Sequence, residues 1–537
     1  MTADSSEAHL NRIAPATKLA WLTTASCRTI LALVLGAGFL SQVWYLTHDC
    51  PIDLSGDEAQ YWDWSRNLDL SYYSKGPLVA LIIRASCLVF GDTMPAVRFP
   101  ALVLGVMTSL VTYALTAKLF KSERLALGVV LLNHLVPMFV AGSVLMTIDP
   151  PYYFCWAVAT LFGAIAIIDG KNWAWIGAGI FVGVGFLAKY AMMLWFVGAA
   201  LVILSDSLSR HSTSLVTGKR RWGGVMLSGA IALLFTIPVI AWNAKHGWVS
   251  LLHVKKQTAG WGGNPLEFVA SQIGLVGPTM FILMLGGIVY AFRARDDVRS
   301  REMRFLAMVG LSFWAITFLD SFFTKVQANW PAPAYFTLMI LTGYFIASRM
   351  RSVESWRRWR GVVYATVVIG LLFLPVSRDS AIVMPLIKRV SKDPGNLDFM
   401  ERLRGWRVLG QHVSEEIATL GDGAFILCDD YQQTAETAFY SSRQPKTYCA
   451  GPYFGKRLSQ YDMWPDRRLH DNPALAGRNA IYVGKGGHLP DEVERAFDRT
   501  EKLPTIPIYA GDVEVKTFKL WRCYGFKGMA PLAVHDY

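Results

Sequence analysis

The sequence predicts a multi-span α-helical membrane protein of about 11 spans, followed by a C-terminal extracytoplasmic α/β domain. Three observations carry that prediction. The 537 residues are 53% hydrophobic and only 17% charged, with a mean hydropathy of +0.32, whereas soluble domains hold about 25% charged residues. Eleven apolar runs approach the roughly 20 residues needed to cross a hydrocarbon core. After residue 378 the apolar runs give way to short strand-like segments and one amphipathic helix. The formal charge of +12 would suggest nucleic acid in a soluble chain. Here the basic residues sit in short loops between apolar runs, which is a topology signal, so no nucleic acid is expected as a partner.

The runs are 29–46, 97–119, 125–142, 150–168, 172–187, 190–206, 224–242, 270–292, 303–320, 332–348 and 361–378. The first is too long for a signal-peptide core and lacks a small-residue cleavage site, so it reads as an uncleaved span after a cytoplasmic N-terminus, 1–28. The shorter run 78–90 contains Arg84 and reads as a helix lying at the membrane surface. Four loops are rich in basic residues: Lys118, Lys121 and Arg124; Arg210, Lys219, Arg220 and Arg221; Arg293, Arg295, Arg299, Arg301 and Arg304; Arg349, Arg351, Arg357, Arg358 and Arg360. Such loops stay in the cytoplasm. The first outer loop, 47–96, and everything after 378 are therefore expected outside. The domains expected are 1–28, a transmembrane catalytic domain at 29–378 and a periplasmic domain at 379–537.

In that last domain "ERLRGWRVLGQHVSEEIATL" sets Leu403, Trp406, Val413, Ile417 and Leu420 on one helical stripe. "GAFILCDD", "NAIYVGKGG" and "DVEVKTFKLW" read as strands bounded by turn residues. The seven cysteines show no C-x-x-C pair and no Cys/His ligand spacing, which argues against a cysteine-built zinc site. Two of Cys428, Cys449 and Cys523 could pair if the domain is extracytoplasmic. No Walker A motif is present, which argues against an ATP-driven machine.

The residues that carry chemistry cluster in the expected outer loops. In "SGDEAQYWDW" Ser55 and Glu58 fit a capping box, and acids in a first turn suit the positive helix end. That accounts for Glu58 better than for Asp57. Tyr61, Trp62, Trp64, Tyr72 and Tyr73 read first as an aromatic belt at the bilayer surface, with sugar stacking as the alternative. Lys75 either snorkels to headgroups or holds a lipid phosphate as a point charge. Asp149, before Pro150 and Pro151, is either a helix cap or a second acid for general-base or cation work. Lys189, in "GFLAKY", is an anchor or a phosphate ligand. The last outer loop adds Lys325, Gln327, Asn329 and Trp330. One outward-facing site at the membrane surface would explain why the outer loops collect acids, lysines and aromatics while the inner loops carry mainly arginines.

"DEAQYWDWSRNLDLSYYSKGPLVALII", "VRFPALVLG", "TIDPPYYFCW", "GFLAKY" and "KVQANWPAPAY" together resemble glycosyltransferase family 39 and its relatives. That group includes protein O-mannosyltransferases and lipid A aminoarabinose transferases, all of the GT-C fold. The resemblance runs from about residue 29 to 350. It implies transfer of a sugar from a polyprenyl-phosphate carrier to a lipid, polysaccharide or protein acceptor outside the cytoplasmic (inner) membrane, with membrane lipids around it. It also implies catalytic roles for Asp57, Glu58 and Asp149 and donor-phosphate contacts from Lys75 and Lys189; Tyr61, Tyr73, Lys325, Gln327, Asn329 and Trp330 are the candidates for substrate contacts. No cofactor is demanded; the three acids are the candidates for a divalent cation, although no ligand spacing requires one. Family members often have Lys-Pro-Pro where this chain has Lys75, Gly76 and Pro77, and glycine loosens the backbone there. The rival reading is a transporter or flippase of lipid-linked sugars. Its ionisable residues would be expected near mid-membrane, within interrupted helices.

Overall fold

A computed structural model describes residues 22–48, 50–208, 215–258, 262–421, 423–470 and 472–531. Most of the N-terminal stretch expected at 1–28 lies outside the described residues, as does Arg210.

The helices follow the apolar runs in order: α1 Thr24–Thr47, α2 Gly56–Arg66, α3 Leu78–Phe90, α4 Met94–Phe120, α5 Glu123–Asn133, α6 Pro137–Gly142, α7 Asp149–Ile167, α8 Ala174–Ala188 and α9 Trp195–Leu208. They continue as α10 Leu215–Leu234, α11 Ile237–Lys245, α12 Val249–Thr258, α13 Pro265–Val276, α14 Pro278–Arg293, α15 Ser300–Asp320, α16 Ala332–Arg349 and α17 Val353–Val376. Among the described residues six helices are long and apolar enough to cross a membrane: α1, α4, α7, the stretch Tyr190–Ser207, α15 and α17. Two bent pairs, 220–234 with α11 and α13 with α14, bring the number to eight if each is one span.

The departures from the eleven runs have local causes. The run 125–142 is broken ahead of Pro137, which opens α6; proline has no N–H to continue the preceding helix and its ring crowds the turn before it. The run 270–292 turns by 102° between α13 and α14, where Gly277 adopts φ 90° and Pro278 follows, a conformation that favours glycine. The run 172–187 is α8, only 15 residues long. The run 78–90 is α3.

The chain forms two compact units. The first takes in the described parts of 1–44, 99–244 and 254–374 and is helical. Its most enclosed helix is α16, buried without a break from Ala332 to Phe345 and packed against α14, α15 and α5. A helix apolar on every face has to be surrounded by others. Small residues let neighbours come close: at Gly179 of α8 a Cβ would lie 2.6 Å from the Ser228 carbonyl oxygen of α10, the small-residue contact that membrane helices favour.

The second unit takes in the described parts of 45–98, 245–253 and 375–537. Its sheet contains β1 Phe425–Cys428, β2 Thr447–Cys449, β3 Ala480–Gly484, β4 Phe497–Lys502 and β6 Val513–Phe526 in the order β2-β1-β3-β6-β4, with β5 Ile506–Ala510 paired to β6. β1 is parallel to β2 and β3, and β6 runs antiparallel to its neighbours. Successive side chains alternate between faces. Phe425, Leu427, Tyr482 and Trp521 thus enter one core. Ile426, Cys428, Ile481 and Val483 enter the other, against Trp406, Leu409 and Val413 of helix α18 Trp406–Leu420. Helix α19 Tyr431–Tyr440 links β1 to β2 and packs on α2. Cys428 and Cys449 are register neighbours, and all seven cysteines are buried free thiols.

Gly405 opens α18 in a left-handed conformation (φ 81°) and has no side chain to cap it. Asp53 supplies the cap from the first loop: one carboxylate oxygen accepts the Trp406 N–H at 2.8 Å, and the other pairs with Arg407 at 2.7 Å. The first loop and the C-terminal region therefore fold as parts of one unit.

Candidate active site

In the second unit the opening of α2 separates two adjacent acids. Ser55 and Glu58 form the capping box expected from the sequence. Glu58 also takes the Arg98 guanidinium in a fork, Nε to Oε1 and Nη2 to Oε2, each at 2.9 Å. Both side chains are 0% exposed, and Arg98 donates further to the carbonyls of Ile52 and Asp53. A buried charge needs such pairing and full hydrogen bonding. Asp57, one residue earlier, is only half-buried and lies 3.4 Å from the Gln432 amide of α19.

The aromatic residues of this loop do not form a belt. Trp62, Trp64 and Tyr72 are fully buried, and Tyr61 and Tyr73 nearly so. Tyr61 meets Trp64 edge-on at 5.1 Å, Trp64 stacks on Tyr72 at 4.4 Å, and Trp62 meets Phe439 of α19 edge-on. The expectation of an interfacial belt is corrected: these rings are core, because they have α19 and one another to pack on. Asp63 is likewise buried, accepting from the Tyr461 hydroxyl and Arg467.

Lys75 closes the turn that follows. Its carbonyl accepts from the Tyr72 N–H at 3.0 Å and from Ser71 Oγ. Tyr73 donates its N–H to Gln460 at 2.7 Å, and its ring lies 5.1 Å from that of His253. Burial, aided by the cationic charges of Arg457 and Lys75, pulls the His253 pKa down to about 4, so this imidazole is neutral at physiological pH.

In the first unit Asp149, Lys189 and Asn329 come together. Asp149 occupies the first turn of α7. One of its oxygens accepts from Lys189 at 2.9 Å and the other from Asn329 at 2.6 Å. Lys189 caps α8 in an extended conformation, with its ammonium 5.3 Å from the Tyr152 ring centre. Trp330 is half-buried and its N–H closes a turn onto the Gln327 carbonyl. Lys325 is exposed and pairs with Glu267, while Gln327 is exposed. Among the described residues no three His, Cys, Asp or Glu side chains gather as metal ligands would; Glu58 is paired with Arg98, and Asp149 is held by Lys189 and Asn329.

Arg98, Gln432 and Arg457 were not singled out from the sequence. Arg98 stood within the quoted "VRFPALVLG", and a charge inside an apolar run is the signal that could have marked it. The other two lie in a polar region where nothing distinguishes them from surface residues.

A family described as dolichyl-phosphate-mannose-protein mannosyltransferase matches residues 74–242. The chain is 30% identical over 337 residues to a lipid A galacturonosyltransferase of Rhizobium johnstonii, covering 60% of this chain and 66% of that protein. It is 24% identical over 305 residues to an undecaprenyl phosphate-alpha-4-amino-4-deoxy-L-arabinose arabinosyl transferase of Pseudomonas aeruginosa, covering 54% and 52%. The chain thus spans between about half and just under two thirds of the length of these curated relatives. Among solved structures, ArnT from Cupriavidus metallidurans bound to undecaprenyl phosphate is similar with a TM-score of 0.63 and 16% identity, over 94% of this chain and 99% of that one. The fold is accordingly the GT-C membrane fold with a C-terminal sheet domain.

Proposed function

We propose that this chain, a member of the GT-C group of lipid A glycosyltransferases and family 39 relatives, moves a sugar from a polyprenyl-phosphate carrier to lipid A on the outer face of the inner membrane. The observation that carries the assignment of residues is the split between neighbouring acids: Glu58 is locked in a buried fork with Arg98, while Asp57 reaches the surface at the positive end of α2.

The carrier is supported by the names of the arabinosyl transferase and of the undecaprenyl phosphate complex, and the acceptor by that of the galacturonosyltransferase. A donor sugar bearing a carboxylate is therefore the first to test. Asp57 accepts the proton of the acceptor hydroxyl as its oxygen bonds to the anomeric carbon. The anomeric carbon–phosphate oxygen bond breaks, and the carrier phosphate leaves with the electron pair. Lys75 stabilises the charge that grows on that phosphate. Glu58 positions α2 through Arg98 and touches no substrate. Tyr61 is proposed to steady the same helix, and Tyr73 to steady the Lys75 turn. In the first unit Asp149, Lys189 and Asn329 form a polar cluster, and its part in the reaction is tested on its own by Asp149→Asn and Lys189→Ala.

The deciding experiment is sugar transfer in membranes, with a panel of polyprenyl-phosphate sugars and lipid A, comparing the native chain with Asp57→Asn. Asn keeps the shape and removes the base. Transfer by the native chain and a loss of about 10²–10⁴-fold in the variant, with normal insertion, is the expected result. Equal activity of the two proteins would remove Asp57 from the chemistry, and the absence of transfer from every donor would overturn the reaction.

A further inference from the structure

Arg457 is exposed, and its guanidinium carbon lies 4.4 Å from the centre of the Tyr431 ring. Among the described residues it makes no ion pair. An arginine laid on an aromatic face loses little conformational freedom when it binds, and its planar fork matches a carboxylate.

Three contacts within the second unit bring this group beside the proposed chemistry. Tyr431 is the first residue of α19, whose N-terminus is capped by Asp430. The next residue, Gln432, is the one whose amide lies 3.4 Å from Asp57. Three residues beyond Arg457, Gln460 accepts the Tyr73 N–H at 2.7 Å. That anchor is fixed by the Ser459–Asp462 capping box and ties the Arg457 loop to the turn holding Lys75. The His253 ring lies 5.1 Å from that of Tyr73, and the charges of Arg457 and Lys75 help keep it neutral. Two cations of different kinds therefore border one surface: a lysine suited to a phosphate, and an arginine with its own uncommitted charge. A neutral sugar on a lipid phosphate carries one anionic group; a uronic acid sugar carries two.

We propose that Arg457 recognises the carboxylate of a uronic acid donor sugar, stacked on Tyr431 beside Asp57, and so selects the donor. This rests on the reaction proposed above. A uronic acid donor gains a charge-assisted hydrogen bond to this guanidinium that a neutral hexose cannot make.

The test compares polyprenyl-phosphate galacturonate with polyprenyl-phosphate galactose as donors for the full chain in lipid bilayers, using the native protein, Arg457→Gln and Arg457→Lys. Arg457→Gln should raise KM for the uronosyl donor by about 10- to 100-fold and move the galactosyl reaction by less than about twofold, with Arg457→Lys intermediate on the uronosyl donor alone. Equal losses with both donors would overturn the proposal, because the guanidinium would then hold the carrier, an acceptor phosphate or the fold. An unchanged KM for the uronosyl donor would overturn it as well. If the native chain transfers neither sugar, the reaction fails first, and binding of the two lipids to the same proteins decides the rest. A preference for the uronosyl lipid that Arg457→Gln abolishes sustains the recognition, and equal binding ends it.

Discussion

The Glu58 carboxylate receives the Arg98 guanidinium through two 2.9 Å hydrogen bonds in a place neither side chain shares with water. Removing one partner of such a pair strands the other charge, at a cost of about 3–5 kcal/mol. Glu58→Gln is therefore expected to lower unfolding stability by about that amount, read from denaturant or thermal unfolding in lipid. Asp57→Asn, at a half-buried first-turn position, should shift stability by no more than about 1 kcal/mol while removing activity. The reverse pattern would exchange the roles of the two acids. His253 gives a pH signature. Its pKa lies at about 4 in the folded chain against 6.5 for the unperturbed group. As pH falls through 6.5 the unfolded chain takes up a proton that the folded chain refuses until about 4, so this residue's contribution to stability is intact above 6.5 and is lost across that window. His253→Gln should flatten the fall in melting temperature between pH 6.5 and 4; an unchanged slope would mean other groups set it.

Among the elements, α18 depends on a residue far away in sequence. Asp53 accepts the first free N–H groups of the helix in place of the missing side chain of Gly405. Asp53→Ala should cost about 1–2 kcal/mol through the lost cap, and hydrogen exchange should speed up at Trp406 and Arg407 before it does in β3; uniform exchange across the unit would refute a local cap. Several elements were plain in the sequence because one physical signal dominated them. The box at Ser55 and Glu58 needs only local spacing, α3 matches its apolar run at Leu78–Phe90, and β1, β3 and much of β6 lie within the segments read as strands. β2 is three residues long, and β4, "FDRTEK", is largely exposed; strands so short or so polar carry no apolar period. At the candidate site the acids and lysines could be chosen individually, since ionisable groups beside apolar runs are conspicuous. What each one touches could not be read. Asn329 on Asp149 spans 180 residues of sequence, and Gln432 on Asp57 spans 375. The aromatic loop is ambiguous for the same reason: a ring density that suits a membrane surface also suits a core, and Phe439, which receives Trp62, lies far along the chain.

For the whole molecule, the placement of the basic loops bears on which side of the membrane the second unit occupies. α4 ends at the basic loop of Lys118, Lys121 and Arg124, so the segment before it starts on the opposite face. The bent pair beginning at Arg220 carries the chain from a basic loop to Lys245, and α17 carries it from another, at 349–360, to Val376. If basic loops stay in the cytoplasm, then 45–93, 245–253 and 377–531 all lie on the outer face. These segments belong to a single compact unit, as they must if they share one aqueous compartment. This placement requires an odd total of crossings, such as the eleven expected from the sequence; six or eight would put 45–93 and 377–531 on opposite faces. We propose a periplasmic second unit on this ground. Cysteine labelling tests it cleanly, because all seven native cysteines are buried and give little background. Arg495→Cys, on a side chain 74% exposed, should react in intact spheroplasts with a maleimide that cannot cross membranes. Arg358→Cys, at 73%, should react only after the membrane is opened. Labelling in the opposite order would put the second unit, and with it Asp57 and Lys75, in the cytoplasm, where transfer to lipid A on the outer face could not occur.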